Sequence, residues 1–222
     1  MLRIETANGE ELNIEIKEVF RYLGYAKFEP DKSVCDLAWE CVKEVRGKLN
    51  LKACYDKFKI TQNSDNSISF GTINTNSKNL IKNLKNCEEV VVFVATIGVD
   101  VDRLIQKYSI INPAKSVVLQ AVGAVVIEAW CDLLSERLKE VYKKFQRPRF
   151  SPGYGDFPLT AQINIFEILD CHRKIGVGLT EGLLMIPTKS VSAVIGLSER
   201  NTNCVSSGCD ECNNVQCEFR RN

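Results

Sequence analysis

Arg149, Gly153 and Tyr154 lie in the segment RPRFSPGYGDFP, residues 147–158, with the spacing R-x-x-x-G-Y. An arginine supplies a permanent, forked cation that can bind a carboxylate or a phosphate through two parallel hydrogen bonds. A glycine lets a ligand approach the main chain closely, and a tyrosine adds a ring and a hydroxyl. The segment therefore predicts a small-molecule site on an ordered loop. A purely structural turn, which loops rich in proline and glycine also form, is the alternative.

A second residue that could do chemistry is Glu128, which lies in a long apolar segment. The sequence is apolar nearly all round from Val117 to Leu134. Its polar exceptions are Gln120, Glu128 and Asp132, whose separations are multiples of four, so they follow one row along a helix. A carboxylate deep in apolar sequence costs several kcal/mol unless it is paired. Glu128 is therefore either satisfied by an internal basic group or held for the ammonium or ribose hydroxyl of a ligand.

Four cysteines crowd together near the end of the chain with the spacing C-x4-C-x2-C-x4-C, namely Cys204, Cys209, Cys212 and Cys217. Thiolates this close together in a reducing compartment favour a soft metal. Structural zinc usually takes two cysteine pairs that are far apart, whereas a compact run of four is more typical of an iron–sulfur cluster. An iron–sulfur cluster, a zinc ion and no metal stay open as alternatives. Cys204 is the least secure ligand, because C-x2-C-x4-C stands without it.

Composition excludes several classes of protein. The 222 residues fit one domain, or one domain with a small appendage, and are enough to bury a substantial core. The 29 basic and 28 acidic residues nearly cancel, which argues against nucleic-acid binding as the main function. The N-terminus is charged and does not resemble a signal peptide. No run of eighteen residues is free of charge, so we expect no transmembrane span and a cytoplasmic location.

The remaining cysteines and the histidine are expected to be structural. In a reducing compartment a disulfide scaffold is disfavoured, so the six cysteines outside the cluster are interpreted mostly as small core residues. The one histidine, His172, is expected on the surface. A single histidine excludes histidine-rich metal sites and leaves few ways to build a serine hydrolase.

Hydrophobic periodicity predicts the elements that must position these residues. The predicted helices cover residues 31–49, 77–86, 114–145 and 160–173, with a shorter one that ends at Gly24. The predicted strands cover residues 51–60, 67–71, 90–96, 183–187 and 191–197, of which the first two form a hairpin. Helices and strands do not alternate regularly, so we expect an α+β fold rather than a doubly wound parallel sheet. A mostly antiparallel sheet would be packed by helices around one long central helix. Residues 1–198 would form this domain, and residues 199–222 a cysteine-rich tail.

The segment with Arg149, Gly153 and Tyr154 resembles the signature of the activation domain of cobalamin-dependent methionine synthase, which binds S-adenosylmethionine. R-x-x-x-G-Y alone is a weak pattern, but three matching blocks in the same order are specific. The other blocks are EVVVFVATIG at 89–98, the helix of 115–138 that contains Glu128 in IEAWCDLLSERL, and LTEGLLMIPTKSVSAVIGLS at 179–198. Before residue 88 the resemblance is confined to RYLGY at 21–25.

The resemblance implies a role for each residue of the site. Arg149 would grip the carboxylate of S-adenosylmethionine, and Glu128 would accept a hydrogen bond from its amino group or a ribose hydroxyl. Gly153 would let main-chain groups approach, and Tyr154 would contact the ligand or brace the loop. It also implies that the site needs no general base, because the cob(I)alamin of a partner is the nucleophile. The site must then only position the methyl group.

The resemblance further implies that the chain is an activation subunit for the reductive methylation of cobalamin in a partner methionine synthase, and is not catalytic alone. It resembles the short, stand-alone forms that dock onto a separate cobalamin-carrying protein. Its tail stands where the large fused enzymes have a tyrosine-containing ligand segment. Two alternatives remain. The chain could be an activation subunit of another corrinoid methyltransferase, or a metal-binding electron-transfer or assembly protein that acts through its tail.

Overall fold

The structure, a computed structural model, describes residues 1–200. The predicted tail cluster lies outside the described residues. The helices are α1 Ile16–Tyr22, α2 Lys32–Arg46, α3 Lys78–Asn83, α4 Val99–Ile111, α5 Pro113–Tyr142, α6 Ala161–Leu169 and α7 Cys171–Ile175. The strands are β1 Arg3–Ala7, β2 Leu51–Lys59, β3 Thr61–Gln62, β4 Ile68–Phe70, β5 Ile73–Thr75, β6 Glu89–Thr96, β7 Phe145–Gln146, β8 Gly178–Leu179, β9 Met185–Ile186 and β10 Ser190–Ser198.

The main sheet has five strands in the order β1-β2-β6-β10-β7, and every neighbouring pair is antiparallel. Its central strand, β6, is apolar in almost every position because both of its faces are covered. Val91 and Phe93 point into the core formed with α1, α2, α4 and α5, whereas Val92 and Val94 point into the core formed with α3, α6 and α7. The expected α+β fold with a mostly antiparallel sheet is thus confirmed.

Helix α5 is the long central helix that the sequence predicts. Its 30 residues lie across one face of the sheet. Asn112 caps its first turn by accepting from the Lys115 backbone, and Pro113 occupies the first helical position. Trp130 is fully buried and donates its indole N–H to the carbonyl of Lys52 at 3.2 Å. The helix is long and apolar enough to cross a membrane, but most of its apolar segment is buried in the fold. Its apolarity is therefore that of a core helix.

A buried cation ties three helices together on this face. Lys115 is 5% exposed and donates to Glu40 at 2.6 Å and to the Tyr108 hydroxyl at 3.1 Å, with Glu44 at 2.7 Å. Burial opposes its charge, but the hydrogen bonds to the two carboxylates of α2 outweigh burial and raise the pKa of Lys115. The ammonium therefore stays charged and fixes α2 and α4 against α5.

Three predicted elements differ from the structure. The strand expected at 67–71 does not pair with β2, because β4 forms a separate three-stranded sheet with β3 and β5. The helix expected at 160–173 is broken at Asp170, which adopts a left-handed conformation with φ 48° between α6 and α7. The strand expected at 183–187 is shorter, Met185–Ile186, and pairs with β8.

Candidate functional site

Arg149 lies at the edge of the main sheet, directly beside α5. The chain runs along β10 here, and the backbones of Phe150 and Val194 exchange hydrogen bonds of 3.0 and 2.9 Å. Phe150 packs into the core on the α6 side, so the preceding side chain points to the opposite face of the sheet. Arg149 therefore reaches α5, where its two terminal nitrogens contact Asp132 at 2.6 Å and Glu128 at 2.9 Å. The motif and the acidic row of the central helix thus meet in space.

The electrostatics of this contact favour the charged form of Arg149. Burial opposes the charge of Arg149, but the ion pairs with Asp132 and Glu128 outweigh burial and raise the pKa of the guanidinium. Cys131 lies beside the same group, and complete burial raises the pKa of its thiol, so that it is neutral near pH 7. The guanidinium of Arg149 thus holds two carboxylates, one on each terminal nitrogen, through charge-assisted hydrogen bonds.

Glu128 is less deeply placed than the sequence indicates. Its side chain is 41% exposed, and that of Asp132 is 71% exposed. The expectation of a carboxylate deep in apolar surroundings is wrong, because the row that begins at Gln120 is the solvent-facing stripe of an otherwise buried helix. Glu128 nevertheless has the internal basic partner that the structural interpretation requires, namely Arg149.

The exposed row of α5 forms one wall of a cleft of about 1000 Å³, a size at the upper end of ordinary ligand sites. Helix α1 and the segment from Tyr25 to Cys35 form the other walls. The cleft is strongly acidic, because seven carboxylates and only two cations line it, giving a formal charge of −5. The carboxylates are those of Glu11, Glu15, Glu18, Glu29, Glu128, Asp132 and Glu136.

Basic side chains satisfy some of these carboxylates. Arg21 contacts both oxygens of Glu18, at 3.1 Å from Nε and 2.8 Å from a terminal nitrogen. Arg137 pairs with Glu11, and Arg149 pairs with the two acids of α5. Arg149 and Arg137 do not line the cleft in the described part of the chain, but each holds an acid that does. The wall formed by α1 was not predicted as part of the site, although the RYLGY block at 21–25 contains three residues that line the cleft.

Gly153 and Tyr154 do not line the cleft in the structure of residues 1–200. Gly153 has a φ of 88°, which a residue with a side chain rarely adopts, and its N–H donates to Phe157 at 2.8 Å. Tyr154 is 69% exposed, and its ring packs edge-on against that of Phe150 at 6.3 Å. The structure thus brings together Arg149 and Glu128 of the four predicted ligand residues. The other two shape the loop that carries Arg149.

An aspartate that was not predicted anchors this loop. Asp156 accepts from the backbone N–H groups of Lys78 at 2.8 Å and Asn79 at 3.1 Å, and from the Ser77 hydroxyl. The Ser77 hydroxyl and these backbone groups lower the pKa of Asp156, so the anchor is ionised at neutral pH. Asp156 follows Gly153 and Gly155 in the sequence. An aspartate after glycines is typical of a tight turn, so this spacing could have indicated that Asp156 holds the loop.

The second cavity, of about 550 Å³, lies on the opposite face of the sheet and is lined in part by His172 and Glu167. His172 is exposed, as predicted. Among residues 1–200, no group of three or more His, Cys, Asp or Glu side chains could hold a metal ion. The six cysteines of the described region are free, and four of them are buried.

The family profile described as the activation domain of vitamin B12-dependent methionine synthase matches residues 62–218, more than two thirds of the chain. The chain belongs to that family. This activation-domain chain also matches a solved structure, a MetH reactivation domain bound to AdoHcy, with a TM-score of 0.68. The match covers 93% of this chain and 81% of the other at 16% identity, so it establishes a shared fold. No curated protein matches the chain.

Proposed function

We propose that this activation-domain chain binds S-adenosylmethionine in the acidic cleft and presents its methyl group to the reduced cobalamin of a partner methionine synthase. One observation carries the proposal. Arg149 of the R-x-x-x-G-Y loop meets Glu128 and Asp132 at the wall of a cleft large enough for a nucleoside. The solved relative of the same fold was bound to AdoHcy, the product of methyl transfer from S-adenosylmethionine.

The charges of the ligand complement those of the site. S-adenosylmethionine has a carboxylate, an ammonium and a sulfonium, and the free site has one guanidinium facing two carboxylates. The ligand carboxylate can replace an acid of α5 on Arg149, while the ammonium takes that acid in exchange. Each charged group then keeps a partner of opposite sign. Such an exchange avoids leaving an unpaired charge, which is the main penalty when an ion pair is broken.

The cobalamin of the partner would supply the nucleophile, a reduced cobalt that takes the methyl group. The residues of this chain are required only to bind and orient the donor, so that the sulfonium methyl faces the partner. This division of labour is compatible with a site that is rich in carboxylates and has few cations. We propose a cytoplasmic protein whose partners are this cobalamin-carrying protein and the small-molecule ligand, without nucleic acid or membrane.

The roles of Gly153 and Tyr154 follow from the loop. We propose that Gly153 shapes the turn that brings Arg149 to α5, and that Tyr154, exposed next to it, contacts either the ligand or the partner. Activation of another corrinoid methyltransferase would use the same site with a different partner.

The cysteine tail is a separate proposal. Cys204, Cys209, Cys212 and Cys217 lie within the segment matched by the family, but outside the described residues. An iron–sulfur cluster, or else zinc, is the ligand that this spacing favours. Protein purified without oxygen should be brown if a cluster is present, and colourless with stoichiometric zinc if the tail is structural. Purified protein that contains neither iron nor zinc would rule out this site, and with it the electron-transfer alternative.

Calorimetric titration with S-adenosylmethionine tests the main proposal. Wild type should bind, and Arg149→Ala should bind about 30- to 1000-fold more weakly, because a charged hydrogen-bonded partner contributes about 2–4 kcal/mol. Arg173→Ala is the matched control, since Arg173 is 79% exposed and pairs with Asp170 next to α7. No binding to wild type, or equal binding to both variants, would end the proposal.

A further inference from the structure

The cleft retains negative charge after its ion pairs are formed. Glu15, Glu29 and Glu136 line it, and none of the three forms a salt bridge within residues 1–200. All three are exposed glutamates. They come from three different walls of the cleft, namely the start of α1, the segment before α2 and the row of α5. Among the described residues, Lys17 is the one lining cation besides Arg21, so the three acids exceed it by two formal charges and the interior has an excess negative potential.

The proposed ligand changes its charge during the reaction. In S-adenosylmethionine the sulfur is a cation. On transfer, the carbon–sulfur bond breaks with its electron pair left on sulfur, and a carbon–cobalt bond forms with the electron pair of the partner's cob(I)alamin. The sulfur ends as a neutral thioether, so the bound molecule loses its methyl group and one positive charge.

We propose that the unpaired carboxylates make the cleft selective for a sulfonium cation over the neutral thioether, so that methyl transfer itself weakens binding and releases the product. The inference rests on the proposed function and deepens it. In a partly solvated site whose effective dielectric constant is near that of water, a carboxylate about 8 Å from the sulfur should favour the cation about threefold. Three carboxylates, opposed by Lys17, should then favour the cation about tenfold.

Three ligands separate charge from shape. S-adenosylmethionine carries the cation and the methyl group, and S-adenosylhomocysteine has neither. Sinefungin has an amine-bearing carbon in place of the sulfonium, so it is cationic without being a sulfonium. Dissociation constants would be measured by calorimetry at about 20 mM and about 500 mM ionic strength, because salt screens such fields. We expect both cations to bind about tenfold more tightly than S-adenosylhomocysteine at low salt, and the ratio to shrink at high salt.

Variants locate the effect in the cleft. Glu29→Gln with Glu136→Gln removes two of the unpaired charges and leaves Glu15 at the start of α1 untouched. The preference for the cations should fall by about threefold per charge, while S-adenosylhomocysteine binding is unchanged. Glu167→Gln is the matched control, since Glu167 is also exposed but lies on the opposite face of the sheet.

The outcomes separate this inference from the function on which it rests. If none of the three ligands binds, the proposed function fails, and the inference fails with it. If all three bind with equal affinity at low salt, or if the double variant keeps the full preference, only the selectivity is refuted. If S-adenosylmethionine alone is preferred and sinefungin is not, the site recognises the methyl group by contact, and the electrostatic inference is wrong.

Discussion

Replacing Arg149 by methionine separates its structural contribution from its contribution to binding. The substitution keeps most of the apolar stem and removes the guanidinium. In the free protein it breaks two ion pairs, with Glu128 and Asp132, whose side chains are 41% and 71% exposed. Exposed pairs contribute at most about 1 kcal/mol each, so the free energy of unfolding should fall by only about 1–2 kcal/mol. The two carboxylates, one turn apart on α5, add a small repulsion.

Binding should be affected far more than stability. The ligand carboxylate loses its charged partner, which is worth about 2–4 kcal/mol, or about 30- to 1000-fold in the dissociation constant. The assay pairs urea denaturation of the ligand-free protein with calorimetric titration of S-adenosylmethionine. Arg173→Met serves as the control in both, because Arg173 is exposed and distant from the cleft.

Two results would refute this reasoning. A loss of stability above about 3 kcal/mol with unchanged affinity would mean that Arg149 is a structural residue that clamps the loop to α5. An affinity that falls no further than that of Arg173→Met would mean that the ligand carboxylate binds elsewhere.

Three further substitutions test residues that stabilise the fold outside the cleft. Gly153→Ala should destabilise the loop by about 1–2 kcal/mol in urea, because the φ of 88° is strained and a leucine side chain lies 3.3 Å from the added carbon. Lys115→Met should lower stability by about 1–3 kcal/mol, since the two carboxylates of α2 lose their shared cation, and an unchanged urea midpoint would contradict this. Glu89→Gln tests pH dependence: Lys144 and Lys57 lower the pKa of Glu89 from 4.5, so its contribution is complete above pH 4.5 and lost as the pH falls through the folded value. The stability gap between wild type and Glu89→Gln should therefore close in acid, and a gap that widens there would reverse the assignment.

The fold class could be predicted because the strongest sequence patterns belong to the elements at its centre. The apolar run of β6 is buried on both faces, and α5 is apolar nearly all round because the sheet and its neighbouring helices surround it. Local features resisted prediction where tertiary contacts decide. Asp170 breaks a continuous helical pattern by adopting a left-handed conformation without a glycine, and β4 pairs with a two-residue strand that no periodicity could reveal. Helix α4 is absent from the prediction although Val101, Leu104 and Ile105 carry helical spacing.

The site could be predicted only in part, because tertiary contacts bring its residues together. Arg149 and Glu128 belong to different elements, and only the resemblance to a family linked them before the structure placed them 2.9 Å apart. The acidic wall from α1 was not predicted, because Glu15 and Glu18 lie outside RYLGY at 21–25 and far from α5 in sequence. Arg21, Tyr22 and Tyr25 of that block do line the cleft. Gly153 and Tyr154 have types that suit a ligand site, but neither lines the cleft in the described structure.

We propose that Glu128 is a structural acid in the free protein and a ligand acid in the complex, because its exposure allows it to change partner. A pair buried away from water would resist exchange, since breaking it costs about 3–5 kcal/mol. The pair with Arg149 is instead 41% exposed on the acid side, so water and the incoming zwitterion can replace each partner in sequence. Until then the pair keeps the guanidinium oriented towards the cleft wall, which reduces the ordering that binding requires. The ion pair between Arg149 and Glu128 therefore stabilises both charges in the free protein and also gives a zwitterionic ligand a way to bind by exchanging partners.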